Sequence, residues 1–549
     1  MTAISASPVE PAILPFGSFA WFKRELAPTR LRKIRTAIMV GGVVLCVIIS
    51  MTLQVPELDL TAYMVFFVSK ESKKLTTLTG ILGFIGATVG IAGTLLLYKF
   101  TYGHPELRIP GMAIALFLGM YLSRVFVIGP LGFLIGFVVT YTQSLGEQIP
   151  SPELLVRGSL WAWVALVYGF ALTLVLNLLF LPDVADPSEH PPKPKKSEPD
   201  RHRLFVPDAF TNPAHVHFAL KVTFAAMFCY IVYMAIDWSG IHTALITCTF
   251  IALESTGATL HKGVLRIGGC VIGGALALFT IVFLMPHMVT IASLVVVVAG
   301  ASAIAGWVAT GSEMISYAGL QIAFAFFYSV FQGYAPDTDL DNVRNRVVGI
   351  LFGLIVTGLV FQYIWPERTI DRFRDALRQA LRQVARLLEI PRPETPLEKA
   401  KAETHDLIPE TSKTFEQARR YAELTTFEFE ESPNRERTSL GNLETTLSRS
   451  DYVFVAATSL SSDQAWNEWQ QFPVAAQIAE SELRNVAAGR VERAATNDIA
   501  EDAGADLSVA FHKWNETVMH LPQATTRMAL ILQITEEIQH LDETIKVSA

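Results

Sequence analysis

Twelve apolar segments occupy most of the first 366 residues, and they constrain the fold more strongly than any other feature of this sequence. They form two sets of six, near residues 36–54, 60–70, 76–99, 107–123, 127–143 and 155–182, and near 215–236, 241–254, 262–285, 289–309, 316–332 and 345–365. Hydrophobic residues make up 51% of the chain, only 17% is charged, and the mean hydropathy is +0.37. These values exclude an ordinary soluble protein and predict an all-α membrane protein with about twelve spans, although some segments are shorter than the roughly 20 residues that cross a bilayer.

Charged residues between the apolar segments predict the orientation of the chain. With a cytoplasmic N-terminal segment (1–34), the inside loops carry the basic residues Lys70, Lys73, Lys74, Arg124 and Lys262, and the outside loops carry Glu57, Asp59 and Asp237. This distribution follows the positive-inside rule. The basic stretch before residue 36 lacks a clear cleavage site, so we interpret the apolar segment at 36–54 as a first span and not a signal peptide. We therefore expect a multi-pass protein with both termini in the cytoplasm.

The two sets of apolar segments also repeat each other. A shift of 183 residues aligns Cys46 with Cys229, Met51 with Met234, Glu71 with Glu254, and Gly80, Gly86 and Gly90 with Gly263, Gly269 and Gly273. Six spans per half is an even number, so the halves at 35–182 and 214–366 would be related by an axis along the membrane normal, as in transporters with parallel repeats. A solute pathway between them is the natural expectation. The Pro/Lys-rich stretch at 183–213 is predicted to be a cytoplasmic linker.

Paired glycines in RIGGCVIGG, residues 266–274, raise the question of a phosphate-binding turn. The apolar run ALALFTIVFLMP comes directly after them, which excludes a dinucleotide site because that site needs a soluble strand and a later acid. Gly269 and Gly273 instead have the spacing that lets helix backbones approach closely in lipid, and Gly86 and Gly90 repeat it. We expect these glycine-lined surfaces to press the two halves together.

The character of the chain changes at residue 367, after which charged residues and helical apolar spacing predict a cytoplasmic helical bundle (367–549). Its first helix has two stripes: the apolar one is Ile370, Phe373, Leu377, Leu381, Val384 and Leu388, and the basic one is Arg374, Arg378, Arg382 and Arg386. The arginines favour a solvated face paired with acids, and binding to anionic lipid headgroups is the alternative. Trp466, Trp469 and Trp514 supply aromatic mass for a core.

Ionisable residues in or beside the spans are the candidates for a substrate pathway or for ion coupling, because charges inside a bilayer are costly. They are Lys221, Asp237, His242, Glu254, Lys262, Arg266, Glu313, Arg344 and Arg346. Lys221 needs a partner, for which Glu254 and Glu313 are candidates. Lys262 and Arg266 either extend to lipid phosphates or attract anionic substrates from the cytoplasm. Asp237, His242, Glu254 and Glu313 are the groups able to titrate if a proton gradient drives transport.

No enzymatic motif is present. The sequence lacks the phosphate loop of ATPases, the H-E-x-x-H metal motif, the G-x-S-x-G nucleophile motif and the kinase signatures, so we expect neither an enzyme nor a cofactor. The four cysteines, Cys46, Cys229, Cys248 and Cys270, lie in apolar runs without metal-type spacing. They predict inert packing residues and no metal site.

Several stretches resemble the fusaric-acid-resistance (FUSC) family. They are residues 208–248 (DAFTNPAHVHFALKVTFAAMFCYIVYMAIDWSGIHTALITC), GVLRIGGCVIGGALALF, GWVATGSEMISYAGLQ, RNRVVGI and YIWPE, and the resemblance is strongest over 208–367. The family resemblance implies an efflux component of a Gram-negative inner membrane that works with a periplasmic adaptor and an outer-membrane channel. It implies export of aromatic acids or drug-like compounds. Family members of this type carry a folded segment between the halves, where this chain has only the short proline-rich linker.

These observations together predict an ion-gradient-driven efflux transporter subunit. We expect substrate to enter past Lys262 and Arg266 and to leave near Asp237 and His242, with membrane lipids, small molecules and copies of the chain itself as partners and no nucleic acid. Two alternatives remain open. One is a passive anion channel, since the distantly similar aluminium-activated malate channels also combine membrane helices with a helical tail, and the other is an envelope scaffold that transports nothing.

Overall fold

The computed structural model describes residues 23, 25–147, 149, 151–182, 204–253, 255–332, 335–336, 341–390, 397–428, 433–496, 503–519 and 525–548. These residues form two compact units. The membrane unit contains the described residues up to 366 except 255–258, and the C-terminal unit contains 255–258 and the described residues from 367 onward.

Twelve α-helices make up almost all of the membrane unit as far as it is described. The first six are α1 (Arg30–Leu53), α2 (Leu58–Val68), α3 (Lys73–Thr101), α4 (Pro105–Val125), α5 (Gly129–Ser144) and α6 (Pro152–Phe180). The next six are α7 (Pro213–Ala235), α8 (Thr243–Ile251), α9 (Thr256–Phe279), α10 (Ile291–Ala309), α11 (Ser316–Val330) and α12 (Asp341–Tyr363). Two short antiparallel strands, β1 (Phe331–Gln332) and β2 (Ala335–Pro336), lie between α11 and α12.

Short polar side chains begin four of these helices. Thr29, Ser72, Asn212 and Thr290 each accept a hydrogen bond from a backbone amide in the first turn of α1, α3, α7 and α10, respectively. Such caps satisfy amide groups that have no partner inside the helix. The sequence between the apolar runs therefore sets where these helices begin.

Eight of the twelve helices are long and apolar enough to cross a membrane, which is fewer than the twelve spans expected from the sequence. The shorter ones include α2, with 11 residues, and α8, with 9. At 1.5 Å per residue these reach only about 16 and 14 Å, roughly half of the hydrocarbon core. Every residue of α8 except Phe250 is buried, so its apolar character reflects packing inside the protein and not contact with lipid.

Each half of the membrane unit packs one of its helices against the other half. The first helix of each half packs against the fourth helix of the other, because α1 lies against α10 and α7 lies against α4. Arg32 Nε on α1 donates to the carbonyl of Trp307 on α10 at 2.9 Å. Met112 on α4 and Val222 on α7 belong to the same buried cluster. The halves thus share one compact unit, and the internal repeat remains a prediction.

The end of the predicted linker packs on the membrane unit. The amide of Val127 donates to the carbonyl of Leu204 at 3.0 Å, and the amide of Val206 donates to the carbonyl of Val125 at 2.9 Å. The hydroxyl of Tyr121 donates to the carbonyl of Ala209 at 2.8 Å. Residues 204–212 therefore extend the fold of the second half towards its N-terminus, while 183–203 lie outside the described residues.

Seven helices form the C-terminal unit over its described part. They are α13 (Thr369–Leu388), α14 (Leu397–Thr425), α15 (Pro433–Leu460), α16 (Asp463–Gln470), α17 (Val474–Thr496), α18 (Ala503–Val518) and α19 (Thr525–Ser548). The apolar stripe predicted for α13 enters the core: Phe373, Leu377, Leu381, Val384 and Leu388 are buried and Ile370 is partly buried. Trp466, Trp469 and Trp514 are buried as well. The cytoplasmic location of this unit stays a prediction.

Two arginines of the basic stripe on α13 pair with acids of the same helix. Arg374 Nη1 lies 3.3 Å from Asp371 Oδ1, and Arg378 Nη1 lies 3.3 Å from Asp375 Oδ1. All four side chains are exposed. This arrangement matches the simpler interpretation of the stripe as a solvated, ion-paired face.

A buried ionic group ties three helical segments of the C-terminal unit together. Glu480 on α17 is fully buried and accepts hydrogen bonds from Arg527 of α19, with Nε 2.8 Å from Oε2. Arg484 lies one turn along α17 with Nη1 3.7 Å from Glu480 Oε1, and its Nε donates to the carbonyl of Leu388 at 2.8 Å. Burial lowers the pKa of Arg484 to about 10, and the Glu480 carboxylate opposes that shift.

Helix α9 begins in the C-terminal unit, where Glu428 satisfies two backbone amides. Its Oε1 accepts from Gly257 N at 3.2 Å and from Thr369 N at 2.6 Å. Thr369 Oγ1 also accepts from Gly257 N at 3.1 Å. A carboxylate at the first turn of a helix stabilises amides that have no partner inside the helix and the positive end of the helix dipole.

Candidate functional site

Helix α11 presents a polar and aromatic stripe to its neighbours. Tyr317, Gln321, Phe324 and Tyr328 succeed one another at spacings of four, three and four, so they lie on one face over about 16 Å of helix. Gln321 is buried, whereas the three aromatic residues are partly exposed. In the adjoining sequence, Phe326 and Phe327 point elsewhere and are fully buried. The stripe is therefore the face of α11 on which polar chemistry is concentrated.

Arg266 of α9 lies against the first part of this stripe. Its Nη1 donates to Tyr317 Oη at 3.1 Å and to Gln321 Oε1 at 3.0 Å, and its Nε donates to Thr247 Oγ1 of α8 at 3.1 Å. Arg266 is 1% exposed, and its Nη2 has no hydrogen-bond partner in the described part of the chain. The partners are all neutral, so they satisfy donors without compensating the charge. Lys262, one turn earlier on α9, places Nζ 4.8 Å from the centroid of the Tyr317 ring.

Arg346 of α12 lies at the other part of the stripe. Its guanidinium carbon is 4.0 Å from the centroid of Phe324 and 5.1 Å from that of Tyr328. His242 Nε2 lies 3.4 Å from Tyr328 Oη, and the His242 ring is 6.2 Å from that of Tyr141 on α5. Tyr63 of α2 adds a ring 4.6 Å from Phe324. We call Lys262, Arg266, Arg346 and the stripe Tyr317, Gln321, Phe324 and Tyr328 the cation–aromatic cluster.

The cluster has no carboxylate bound to its cations among the residues that the structure describes. None of Lys262, Arg266 and Arg346 forms an ion pair within 4.0 Å there. Three positive charges beside aromatic rings in a low-dielectric interior attract anions strongly. The arrangement is suited to an anionic group attached to an apolar or aromatic body.

Close helix packing holds the cluster in place. A Cβ atom on Gly269 would lie 2.6 Å from the carbonyl oxygen of Ala318, and one on Gly273 would lie 2.4 Å from that of Ile322. Only glycine lets α9 approach α11 this closely, which brings Arg266 within reach of Gln321. Gly86 and Gly90 of α3 similarly face Leu134 and Val138 of α5. Each glycine pair thus packs inside its own half, which corrects the expectation that these surfaces press the two halves together.

Among the remaining candidates, Lys221 lies on α7, a helix that carries no member of the cluster. Lys221 is buried and donates to the carbonyl of Trp365 at 3.1 Å, with its Nζ 4.7 Å from the ring centroid of Phe361. The carbonyl of Trp365 is thus one acceptor of this ammonium group. Glu254 lies outside the described residues, and Glu313 is exposed in the turn before α11.

The residues at the predicted outer mouth are mostly exposed. Asp237 lies just after α7 with a positive φ of 54°, and its side chain is exposed. Trp238 Nε1 donates to Asn345 Oδ1 at 3.1 Å. Arg344 is exposed and bridges to Asp341 at 3.2 Å. Of this group only His242 reaches the cation–aromatic cluster, through Tyr328.

The aromatic members of the cluster were not among the site residues predicted from the sequence. Charged residues stand out in an apolar run, whereas tyrosine and phenylalanine do not. The helical spacing in YAGLQIAFAFFY, residues 317–328, places Tyr317, Gln321, Phe324 and Tyr328 on one face and could have identified them. Tyr63 had no such signal, because its contact with Phe324 depends on the packing of α2 against α11.

Residues 226–360, which carry α8, α9, α11 and Arg346, match the family described as fusaric acid resistance protein-like. Over this region the chain resembles that family. Multidrug resistance protein MdtO of Escherichia coli (strain K12) is 23% identical over 536 residues, covering 71% of this chain and 77% of that protein. MdtO of Shigella flexneri is 34% identical over 203 residues, covering 37% of this chain and 29% of that protein. The resemblance predicted from the sequence is confirmed, and together with the long apolar helices it supports a multi-pass inner-membrane protein.

Proposed function

We propose that this protein is the inner-membrane subunit of an efflux transporter that exports aromatic acids or drug-like anions. The cation–aromatic cluster is the observation that carries this proposal, because its cations, which form no ion pair within 4.0 Å among the described residues, and its rings match the two parts of such a molecule. The relatives are named multidrug resistance proteins, which supports drug-like compounds as the substrates. An ion gradient would drive export, and a periplasmic adaptor and an outer-membrane channel would carry the compound onward.

The order of residues along α11 gives the proposed path. Lys262 and Arg266 lie beside Tyr317 and Gln321, Arg346 lies beside Phe324, and His242 lies beyond it at Tyr328. The basic end faces the cytoplasm in the orientation predicted from the loop charges. An anion would then enter past Lys262 and Arg266 and move along the stripe towards His242.

Transport by inside-out vesicles tests this function directly. The probe is labelled benzoate at pH 8, where the acid is almost entirely ionised, and vesicles without the protein give the background. We expect Arg266→Ala to lower the initial rate by roughly tenfold or more, since losing one charge-assisted contact corresponds to at least about 1.4 kcal/mol. Lys262→Ala should lower it less, because Lys262 lies at the end of the stripe.

Arg344→Ala is the matched control, since Arg344 is exposed and its charge is already paired with Asp341. Its rate should equal that of the wild type. Unchanged transport by correctly inserted Arg266→Ala and Lys262→Ala proteins would contradict the proposed path.

The same cluster would also suit a passive anion channel, so the energy source must be tested separately. An efflux transporter should accumulate benzoate against its gradient only when an ion gradient is imposed. Benzoate movement that merely tracks its own gradient, together with an anion current, would favour the channel.

A further inference from the structure

Arg346 is a buried arginine whose hydrogen-bonding capacity is unused within the described part of the chain. Its side chain is 2% exposed, and Nε, Nη1 and Nη2 all lack a hydrogen-bond partner among the described residues. Arg266, by contrast, donates hydrogen bonds from two of its nitrogens to Thr247, Tyr317 and Gln321. Arg346 is therefore the cation of the cluster that the protein leaves most open to an added acceptor.

The rings beside Arg346 cannot take the place of that acceptor. Phe324 and Tyr328 lie 4.0 Å and 5.1 Å from its guanidinium carbon and attract the charge through their π faces. The N–H bonds of a guanidinium lie in its plane and point outward at its edges, so they need oxygen atoms in that plane. Burying them without acceptors is unfavourable, which makes an acceptor that arrives with a ligand the natural complement.

The carboxylates of the neighbouring elements do not fill this role. Asp59, at the start of α2, interacts electrostatically with Arg346, but the two side chains do not come within the 4.0 Å of an ion pair. His242 and Tyr328 contact each other on the other side. An anion that binds Arg346 would therefore find the edge of the guanidinium unoccupied by the described part of the protein.

We propose that Arg346 binds the carboxylate of the transported compound edge-on, and that the protein consequently selects the ionised form of an aromatic acid over its neutral counterpart. Two parallel N–H···O bonds match a carboxylate in both spacing and charge. The ring of the compound packs among Phe324 and Tyr63, whose centroids are 4.6 Å apart. This assignment rests on the proposed function and names the residue that sets its charge specificity.

The test compares benzoate with benzamide, its neutral analogue of nearly the same shape. Binding of each is measured at pH 8 with the purified full-length protein in detergent. We expect the wild type to prefer benzoate by about tenfold or more, and Arg346→Gln to reduce that preference to about twofold or less. Arg346→Lys should give an intermediate preference, because an ammonium keeps the charge but loses the paired geometry.

Arg344→Gln provides the control, because Arg344 lies two residues away but is exposed and paired with Asp341. It should retain the full preference for benzoate. Folding is checked by thermal unfolding without ligand. If Arg346 serves a ligand and not the fold, Arg346→Gln should unfold at the same temperature as the wild type or above it, since it removes a buried charge that has no bonded partner among the described residues.

The outcomes separate this assignment from the proposed function. A wild type that binds and transports benzoate, together with a folded Arg346→Gln protein that still prefers benzoate tenfold, would overturn the role of Arg346 alone. A strong drop in unfolding temperature for both Arg346→Gln and Arg346→Lys would show a structural role and overturn it too. A wild type that neither binds nor transports benzoate would overturn the proposed function and, with it, this assignment.

Discussion

Glu480 lies between Arg484 and Arg527 with its side chain fully buried, and it shows how one residue stabilises the C-terminal unit. Removing its charge leaves two buried guanidinium groups without an ion-pair partner among the described residues. We expect Glu480→Gln to destabilise this unit by about 3–5 kcal/mol, which is typical for breaking a buried ion pair from one side. Thermal unfolding of the full-length protein, monitored through the fluorescence of its tryptophans, measures the effect.

Glu482 supplies the comparison two residues further on. It pairs with Lys513 at 2.5 Å, but both side chains are at least half exposed. Glu482→Gln should change the stability by less than about 1 kcal/mol, because solvent screens an exposed pair. Equal effects of the two substitutions would show that burial does not determine the contribution of Glu480.

The sequence identified the charged residues of the candidate site but not the residues that contact them. Lys262, Arg266 and Arg346 are conspicuous because an apolar stretch rarely contains a cation. One acceptor of Lys221 is the backbone carbonyl of Trp365, and the sequence carries no signal for a backbone acceptor. Charge can therefore be read from a sequence, whereas hydrogen-bond partners depend on packing.

Helix α9 carries two adjacent glycines with opposite environments, which makes it the best element on which to test close packing. A Cβ on Gly269 would meet the backbone of α11 at 2.6 Å, while one on Gly268 would meet nothing within 4 Å. We expect Gly269→Ala to lower the stability by about 1–3 kcal/mol, since α9 and α11 must separate. The unfolding temperature and the rate of benzoate transport should fall together, because Arg266 moves with α9.

Gly268→Ala is the matched substitution on the same helix. It should leave the unfolding temperature unchanged or raise it, since alanine favours a helix over glycine by about 0.5–1 kcal/mol. A similar loss for both alanines would mean that helix propensity, and not the approach of α11, decides the outcome.

The positions of the helices were predicted well from periodicity and composition, whereas the number of helices that span the membrane, which depends on their length, was predicted poorly. All twelve apolar segments are helical, and the buried stripe of α13 has the predicted spacing. The sequence did not distinguish α2 and α8 from spans, because a short buried helix and a spanning helix are both uniformly apolar. It also placed residues 204–212 in a linker, although they pack on the end of α4.

The packing of α1 on α10 and of α7 on α4 makes the folding of each half of the membrane unit depend on the other half. Cutting the chain within 183–203 separates α1–α6 from the remainder of the chain. We expect the two fragments to copurify and regain benzoate transport when they are produced together. Each fragment alone should be degraded or aggregate, because α1 lacks α10 and α7 lacks α4.

Affinity purification through a tag on one fragment measures this dependence. A cut within the loop between α3 and α4 is not equivalent, because it divides the first half itself, so the linker is the appropriate place. A first fragment that remains folded and monodisperse without its partner would contradict the interdependence of the halves.

The pairing of α1 with α10 has a consequence for biosynthesis. About 240 residues of chain separate the end of α1 from the start of α10, and ribosomes add roughly 5–20 residues per second. Arg32 must therefore wait on the order of ten seconds or more for the carbonyl of Trp307 that it binds in the finished protein. During that interval the guanidinium has only its local acceptors, the carbonyls of Glu25 and Ala27, among those it uses in the described structure. Maturation of the protein therefore ends only after its third-from-last apolar segment has emerged.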